Sequence, residues 1–250
     1  MKMIRYPIQT LTSILILYML FIGLFYGSRS IAGVVDAPPV DFTRSATEAL
    51  AGYLLWFFAL LAIDSMSQDI AEEAQTGTLE QFYLSRWSFR LMLFLRFVST
   101  LITSLAMIVP LLLLLMLSTG VSLDIRLGDT LPIIGVTLLG LCGLGYLLGA
   151  VTLLFKRIGN AMTLVQFGLL FLALTPVERL SPPLQVVALT LPLTQAVKLL
   201  RVSLLGNSST LLSVDFLLLA FHSAAYLAIG ALFFGWAEAL ARDKGWLGHY

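Results

Sequence analysis

The chain has 250 residues, 59% of them hydrophobic and only 12% charged, whereas soluble domains are about 45–50% apolar and about 25% charged, so a freely soluble globular protein is excluded. A net charge of +1 with no long basic run excludes nucleic acid as a partner, because phosphate binding needs concentrated Lys and Arg. The single cysteine, Cys142, rules out an intrachain disulfide, and its Gly-rich, apolar neighbourhood points to packing rather than thiolate chemistry.

About 20 apolar residues cross the roughly 30 Å hydrocarbon core of a bilayer. Six runs are placed as spans: residues 8–26, 49–66, 91–117, 131–155, 161–174 and 211–236. The expectation is an all-α integral membrane protein, one polytopic domain over residues 1–250 with six transmembrane helices. Lys2 and Arg5 precede the first run as they would in a signal sequence. That run exceeds the usual 7–15-residue apolar region of a signal, and no clear cleavage site follows, so it reads as a retained anchor. Basic residues near the spans, Lys156-Arg157 and Arg242 with Lys244 above all, favour cytoplasmic termini and a multi-pass protein of the cell (inner) membrane.

The second span carries Asp64 near its inner end, and Arg96 lies at similar depth in the third. Either the two form an ion pair across the hairpin, or Arg96 snorkels to lipid headgroups. Tyr53, Trp56, Phe57 and Phe58 suit a translocation path, an aromatic belt or a dimer face.

Between these spans stands a polar region, residues 67–90, containing Glu72-Glu73-Ala74-Gln75-Thr76-Gly77-Thr78-Leu79-Glu80. Thr78 and Gln81 have the spacing of a capping box, and Gly77 lets the chain turn into it. Leu79, Phe82 and Tyr83 then share one helical face. This is either a plug for a partner's groove or an interfacial helix that merely finishes the hairpin.

The fourth span is rich in small residues, Gly135, Gly140, Gly143, Gly145 and Gly149, which permit close helix approach in membranes. The fifth run is short of the length needed to cross. Residues 175–210 then contain Pro176, Pro182, Pro183 and Pro192 around apolar segments too short to span and too apolar for a solvated loop. Two half-helices of a re-entrant outer hairpin over residues 182–205 are the expected form. His222, in the last span, reads as a hydrogen-bonded packing residue. With His249 it is one of only two histidines, and no P-loop pattern occurs in the sequence, so the chain is not expected to be an enzyme or to hydrolyse ATP itself by P-loop chemistry.

In this order, Glu73 and Gly77-Thr78-Leu79-Glu80 resemble the coupling-helix region of type-2 ATP-binding cassette exporter permeases. Leu191-Pro192-Leu193-Thr194, followed by Leu200-Arg201 and Gly206, is similar to that family's outer re-entrant segment. Ala241-Arg242 with Gly245-Trp246-Leu247-Gly248 resembles its short basic tails. The resemblance covers essentially the whole chain and implies a half-transporter that pairs with a second permease copy, identical or a paralogue, within membrane lipid. It implies coupling to cytoplasmic ABC ATPase subunits through Glu73, Gly77, Thr78, Leu79, Glu80, Phe82 and Tyr83, with Pro192, Thr194 and Arg201 in the re-entrant segment. No cofactor is expected in this chain, ATP and magnesium belonging to the partner. The expected cargo is a drug, lipid-linked molecule, peptide or glycan moved outward. An ion-coupled secondary transporter and a non-transporting scaffold are the alternatives.

Overall fold

The structure, a computed structural model, describes residues 7–34, 42–68, 70, 71, 73, 88–120, 126–155, 159–205, 211 and 213–243. Every regular element among them is helical: α1 (Pro7–Val34), α2 (Phe42–Ile63), α3 (Phe89–Thr119), α4 (Leu127–Phe155), α5 (Gly159–Leu174), α6 (Pro182–Thr190), α7 (Pro192–Leu204) and α8 (Val214–Asp243). The last turn of α2 widens into a π-helical turn, Asp64–Gln68, and a 3-10 turn, Val177–Arg179, follows α5.

The ends of α3 follow from local chemistry. Ser88 accepts a hydrogen bond from the Leu91 amide at 3.4 Å, satisfying one of the donors that a helix start leaves unpaired. Gly120, at φ 67°, closes the other end in the left-handed conformation that glycine adopts without strain.

Among the described residues, four helical stretches are long and apolar enough to cross a bilayer: Arg44–Gln68, Phe89–Thr119, Leu127–Phe155 and Val214–Asp243. They contain the expected spans 49–66, 91–117 and 131–155, and the last overlaps 211–236 from Val214 on. The runs 8–26 and 161–174 lie in α1 and α5, whose apolar stretches, Leu11–Tyr26 and Gly159–Leu174, are shorter. Helices α6 and α7 reach the same length and apolarity only when taken together, and they are bent by 83° at their junction.

Helices α2 and α4 are the inner pair. In the most apolar stretch of α2, 72% of residues are buried, against 17% in α8, so α8 turns side chains such as Leu232 and Phe221 outward. Small residues set the spacing. A methyl group added to Gly143 would collide with the backbone of Tyr226 and Leu227 on α8, and one on Gly230 with the backbone of Gly143, so α4 and α8 touch main chain to main chain. Two residues on and about half a turn round α4, Gly145 faces Ala62 and Met66 of α2. Gly140, Gly143, Gly145 and Gly149 thus all make the close approaches expected of them; Gly135 does not, because open space lies beyond it.

The aromatic group on α2 is core. Tyr53, Trp56, Phe57 and Phe58 are all buried. The Tyr53 hydroxyl donates to the Leu17 carbonyl of α1 at 2.5 Å, while its ring meets Phe21 edge-on at 5.2 Å. The Trp56 indole donates to the Gln166 carbonyl of α5 at 2.8 Å. Within one copy these rings fasten α1 and α5 to α2 rather than lining an open path.

Candidate functional site

Polar side chains gather at the two ends of the bundle. At one end the π-helical turn of α2 is tied to its neighbours. A π-turn inserts a residue into the helical register and is often found at functional sites. Here Ser65, Met66 and Ser67 are buried in it. Asp64 accepts from the Gln68 amide at 2.6 Å and from the Gln166 amide of α5 at 2.9 Å. Ser67 and Thr152 of α4 meet hydroxyl to hydroxyl at 2.5 Å. Thr152 sends its own hydrogen to the Leu148 carbonyl, so Ser67 is the donor.

Just beyond the turn, Glu73 pairs with Arg96 of α3. Arg96, expected opposite Asp64, thus has Glu73 as a partner. Asp64 faces α5, where an amide meets it, whereas the chain after the π-turn brings Glu73 to the guanidinium on α3. Arg96 remains 39% exposed while Glu73 is only 14% exposed, so the carboxylate is the member that most needs the pair. At the same end, Tyr146 donates to the Arg90 carbonyl at 2.8 Å, and the Arg90 guanidinium stands 4.0 Å from Glu238 of α8. Gly77, Thr78, Leu79, Glu80, Phe82 and Tyr83 lie outside the described residues, as do Lys156-Arg157 and residues 244–250.

At the other end the α6–α7 bend is held by side chains that reach backbone. Leu191 is extended, at φ −79° and ψ 130°, the conformation favoured before proline, and Pro192 takes the first position of α7, where its missing N–H costs nothing. From that first turn the Thr194 hydroxyl donates back to the carbonyls of Ala188 and Leu191. The Gln195 amide donates to the Leu189 carbonyl at 2.7 Å. These bonds satisfy carbonyls that the end of α6 leaves unpaired. Gln195 also lies 3.1 Å from His222 of α8, so His222 is engaged in packing between helices.

Arg201 is the keystone of this end. Its Nε donates to the Glu48 carbonyl of α2 at 3.2 Å, and one terminal nitrogen donates to the Ala173 and Leu174 carbonyls closing α5, at 2.8 and 3.3 Å. One guanidinium fork thus joins α7, α2 and α5, a task suited to its rigid, planar set of donors. Gly52 lets α2 approach the end of α5 beside it: a methyl group there would strike the Ala173 carbonyl. Beside this fork lies a cavity of about 410 Å³ whose walls include Arg44, Glu48, Glu178, Lys198 and Asp215.

Sequence reasoning selected Pro192, Thr194 and Arg201 but missed Gln166, Thr152 and the π-turn. Gln166 carried a signal, being the only amide or charged residue in the run 161–174. Thr152 carried none, since threonine in an apolar helix ordinarily bonds its own backbone.

A family model described as "ABC-2 family transporter protein" matches residues 36–237, a stretch that runs from the start of α2 to near the end of α8. No curated protein and no solved structure matched the chain.

Proposed function

The chain belongs to the ABC-2 transporter family and is a multi-pass membrane permease of an ABC transporter, and on that premise we propose that it is the membrane half of an exporter driven by a separate ATPase. Six spans per copy are proposed, with α1 and α5 as the two shorter ones. The 16 residues of α5 extend about 24 Å, close to the hydrocarbon thickness. Helices α6 and α7, of 9 and 13 residues, reach about 14 and 20 Å, and neither covers the core alone. Their bend suits a re-entrant hairpin. Lys156-Arg157 and Arg242 support a cytoplasmic location for the end carrying Asp64 and Glu73, with the α6–α7 end outside.

One observation carries the coupling role: the last turn of α2 and Glu73 just beyond it are bonded to α5, α4 and α3 at once, through Asp64–Gln166, Ser67–Thr152 and Glu73–Arg96. A push on residues 67–90 by a closing ATPase would reach three helices together. Leu79, Phe82 and Tyr83 are the proposed apolar anchors in the ATPase groove, Gly77, Thr78 and Glu80 shape that short helix, and ATP and magnesium sit on the ATPase. Two permease copies, most simply identical, enclose the path, which opens and closes as the two ATPases close and part.

Co-expression with an ABC ATPase and reconstitution in lipid vesicles test this reading. The assembled complex should show ATP-driven export, and Phe82→Asp should abolish assembly or the stimulation of ATP hydrolysis while leaving membrane insertion intact. Normal assembly and transport by Phe82→Asp would remove the coupling role. Transport driven by an ion gradient without the ATPase would identify a secondary carrier instead.

A further inference from the structure

The cavity of about 410 Å³ at the α6–α7 end is bounded by the first turns of α2, the end of α5, α7 and the first turns of α8. Its volume lies within the roughly 300–1,000 Å³ range of small-molecule sites. Six charged side chains line it: Arg44, Lys198 and Arg201 against Glu48, Glu178 and Asp215, so the wall is charged but balanced. Arg201 is committed to backbone carbonyls. The others are free to exchange partners at small cost. Arg44 and Glu48 are 3.0 Å apart with side chains 67% and 32% exposed, and Lys198 and Asp215 are 2.9 Å apart at 60% and 45%; exposed pairs of this kind contribute little net stability. Glu178 is exposed on the 3-10 turn. Between the charges the wall is apolar, formed by Leu172, Val197 and Leu218 among others.

We propose that this cavity binds the zwitterionic headgroup of a membrane amphiphile, such as a phospholipid carrying both phosphate and an amine. Its anionic group meets Arg44 and Lys198, its cationic group meets Glu178 and Asp215, and the first carbons of its tails run along Leu172 and Leu218. Charge balance selects the zwitterion. A purely anionic headgroup would sit against three carboxylates, and a purely cationic one against three cations. The position selects an amphiphile, because Arg44, Glu48 and Asp215 stand in the first turns of membrane-length helices whose apolar flanks continue from the cavity. Nothing in this assignment depends on the direction of transport or on an ATPase.

The full chain, purified in mild detergent and stripped of lipid, is titrated with dihexanoyl phosphatidylcholine below its micelle concentration, and binding is read by native mass spectrometry. Phosphatidylcholine should bind, and dihexanoyl phosphatidic acid, which lacks the amine, about tenfold more weakly. Arg44→Gln with Lys198→Gln, and separately Glu178→Gln with Asp215→Asn, should each weaken phosphatidylcholine by about tenfold, the scale of about 1.4 kcal/mol of lost ionic contact. Leu172→Trp, which fills the cavity without altering a charge, should abolish binding and keeps the test open if a charge variant fails to fold. Unchanged affinity in Leu172→Trp or in both charge variants would overturn the site. Stronger binding of phosphatidic acid would overturn the zwitterion. Glycerophosphocholine binding as tightly as the lipid would make the occupant a soluble zwitterion and overturn the amphiphile.

Discussion

The bonds that hold the π-turn and those that hold the α6–α7 bend and Arg201 differ in kind. Around the π-turn, side chain meets side chain across helices: Asp64 with Gln166, Ser67 with Thr152, Glu73 with Arg96. At the α6–α7 end, side chain meets backbone: Arg201 with the carbonyls of Glu48, Ala173 and Leu174, Thr194 with those of Ala188 and Leu191, Gln195 with that of Leu189. A link between two side chains can open by rotation about their bonds and re-form elsewhere. A link to a helix-terminal carbonyl cannot be given up without leaving that carbonyl unpaired in apolar surroundings. The first arrangement suits a joint that moves under load, and the second a frame that holds its shape.

Removing the keystone should therefore cost most. Arg201→Leu leaves the Ala173 and Leu174 carbonyls at the end of α5 without this donor and removes a second bond from the Glu48 carbonyl inside α2, and is expected to lower stability by about 3–5 kcal/mol, read as a fall in the unfolding midpoint in detergent. Arg201→Lys should recover only part of this, because a single ammonium cannot reproduce the fork. Full recovery by lysine would mean that charge, not geometry, holds α2, α5 and α7 together.

A smaller loss is expected at the bend. Thr194→Val keeps the shape of the side chain and removes the hydroxyl that serves α6, for about 1–2 kcal/mol. If the frame reading holds, a cysteine introduced at Val187 should become more accessible to impermeant thiol reagents in that variant, once Cys142 has been replaced. Unaltered accessibility and stability would assign the bend to Pro192 alone.

The smallest effects on stability belong to the joint. Glu73→Gln and Arg96→Gln should be non-additive, with a coupling energy of about 0.5–1.5 kcal/mol, as should Asp64→Leu and Gln166→Leu, since polar pairs between membrane helices average about 0.6 kcal/mol. These variants should impair ATP-driven transport more than they impair unfolding, whereas Arg201 and Thr194 variants should lose both in step. Equal ratios at the two ends would erase the distinction between joint and frame.

Much of this architecture was legible in the chain. The apolar runs marked the helices, and prolines with short apolar segments marked α6, α7 and the bend between them. The small residues of α4 marked a close contact, though not its partners: Gly143 meets α8 and Gly145 meets α2, a division that depends on which helices flank α4 in space. Depth along a span was readable too, and correctly put Asp64 and Arg96 at one end of the bundle.

Depth alone does not name their partners. The partner of a polar side chain is decided by how its helix is rotated about its own axis, and the π-turn adds a residue that resets this rotation just where Asp64 begins it. Composition and periodicity, which are properties of a single segment, determined that the protein is helical and built for a bilayer. The pairing of Arg96 with Glu73, the grip of Gln166 on Asp64 and the reach of Arg201 to three carbonyls were decided only in the tertiary structure, because each needs two or more helices at a fixed distance and angle before a bond of about 3 Å can close.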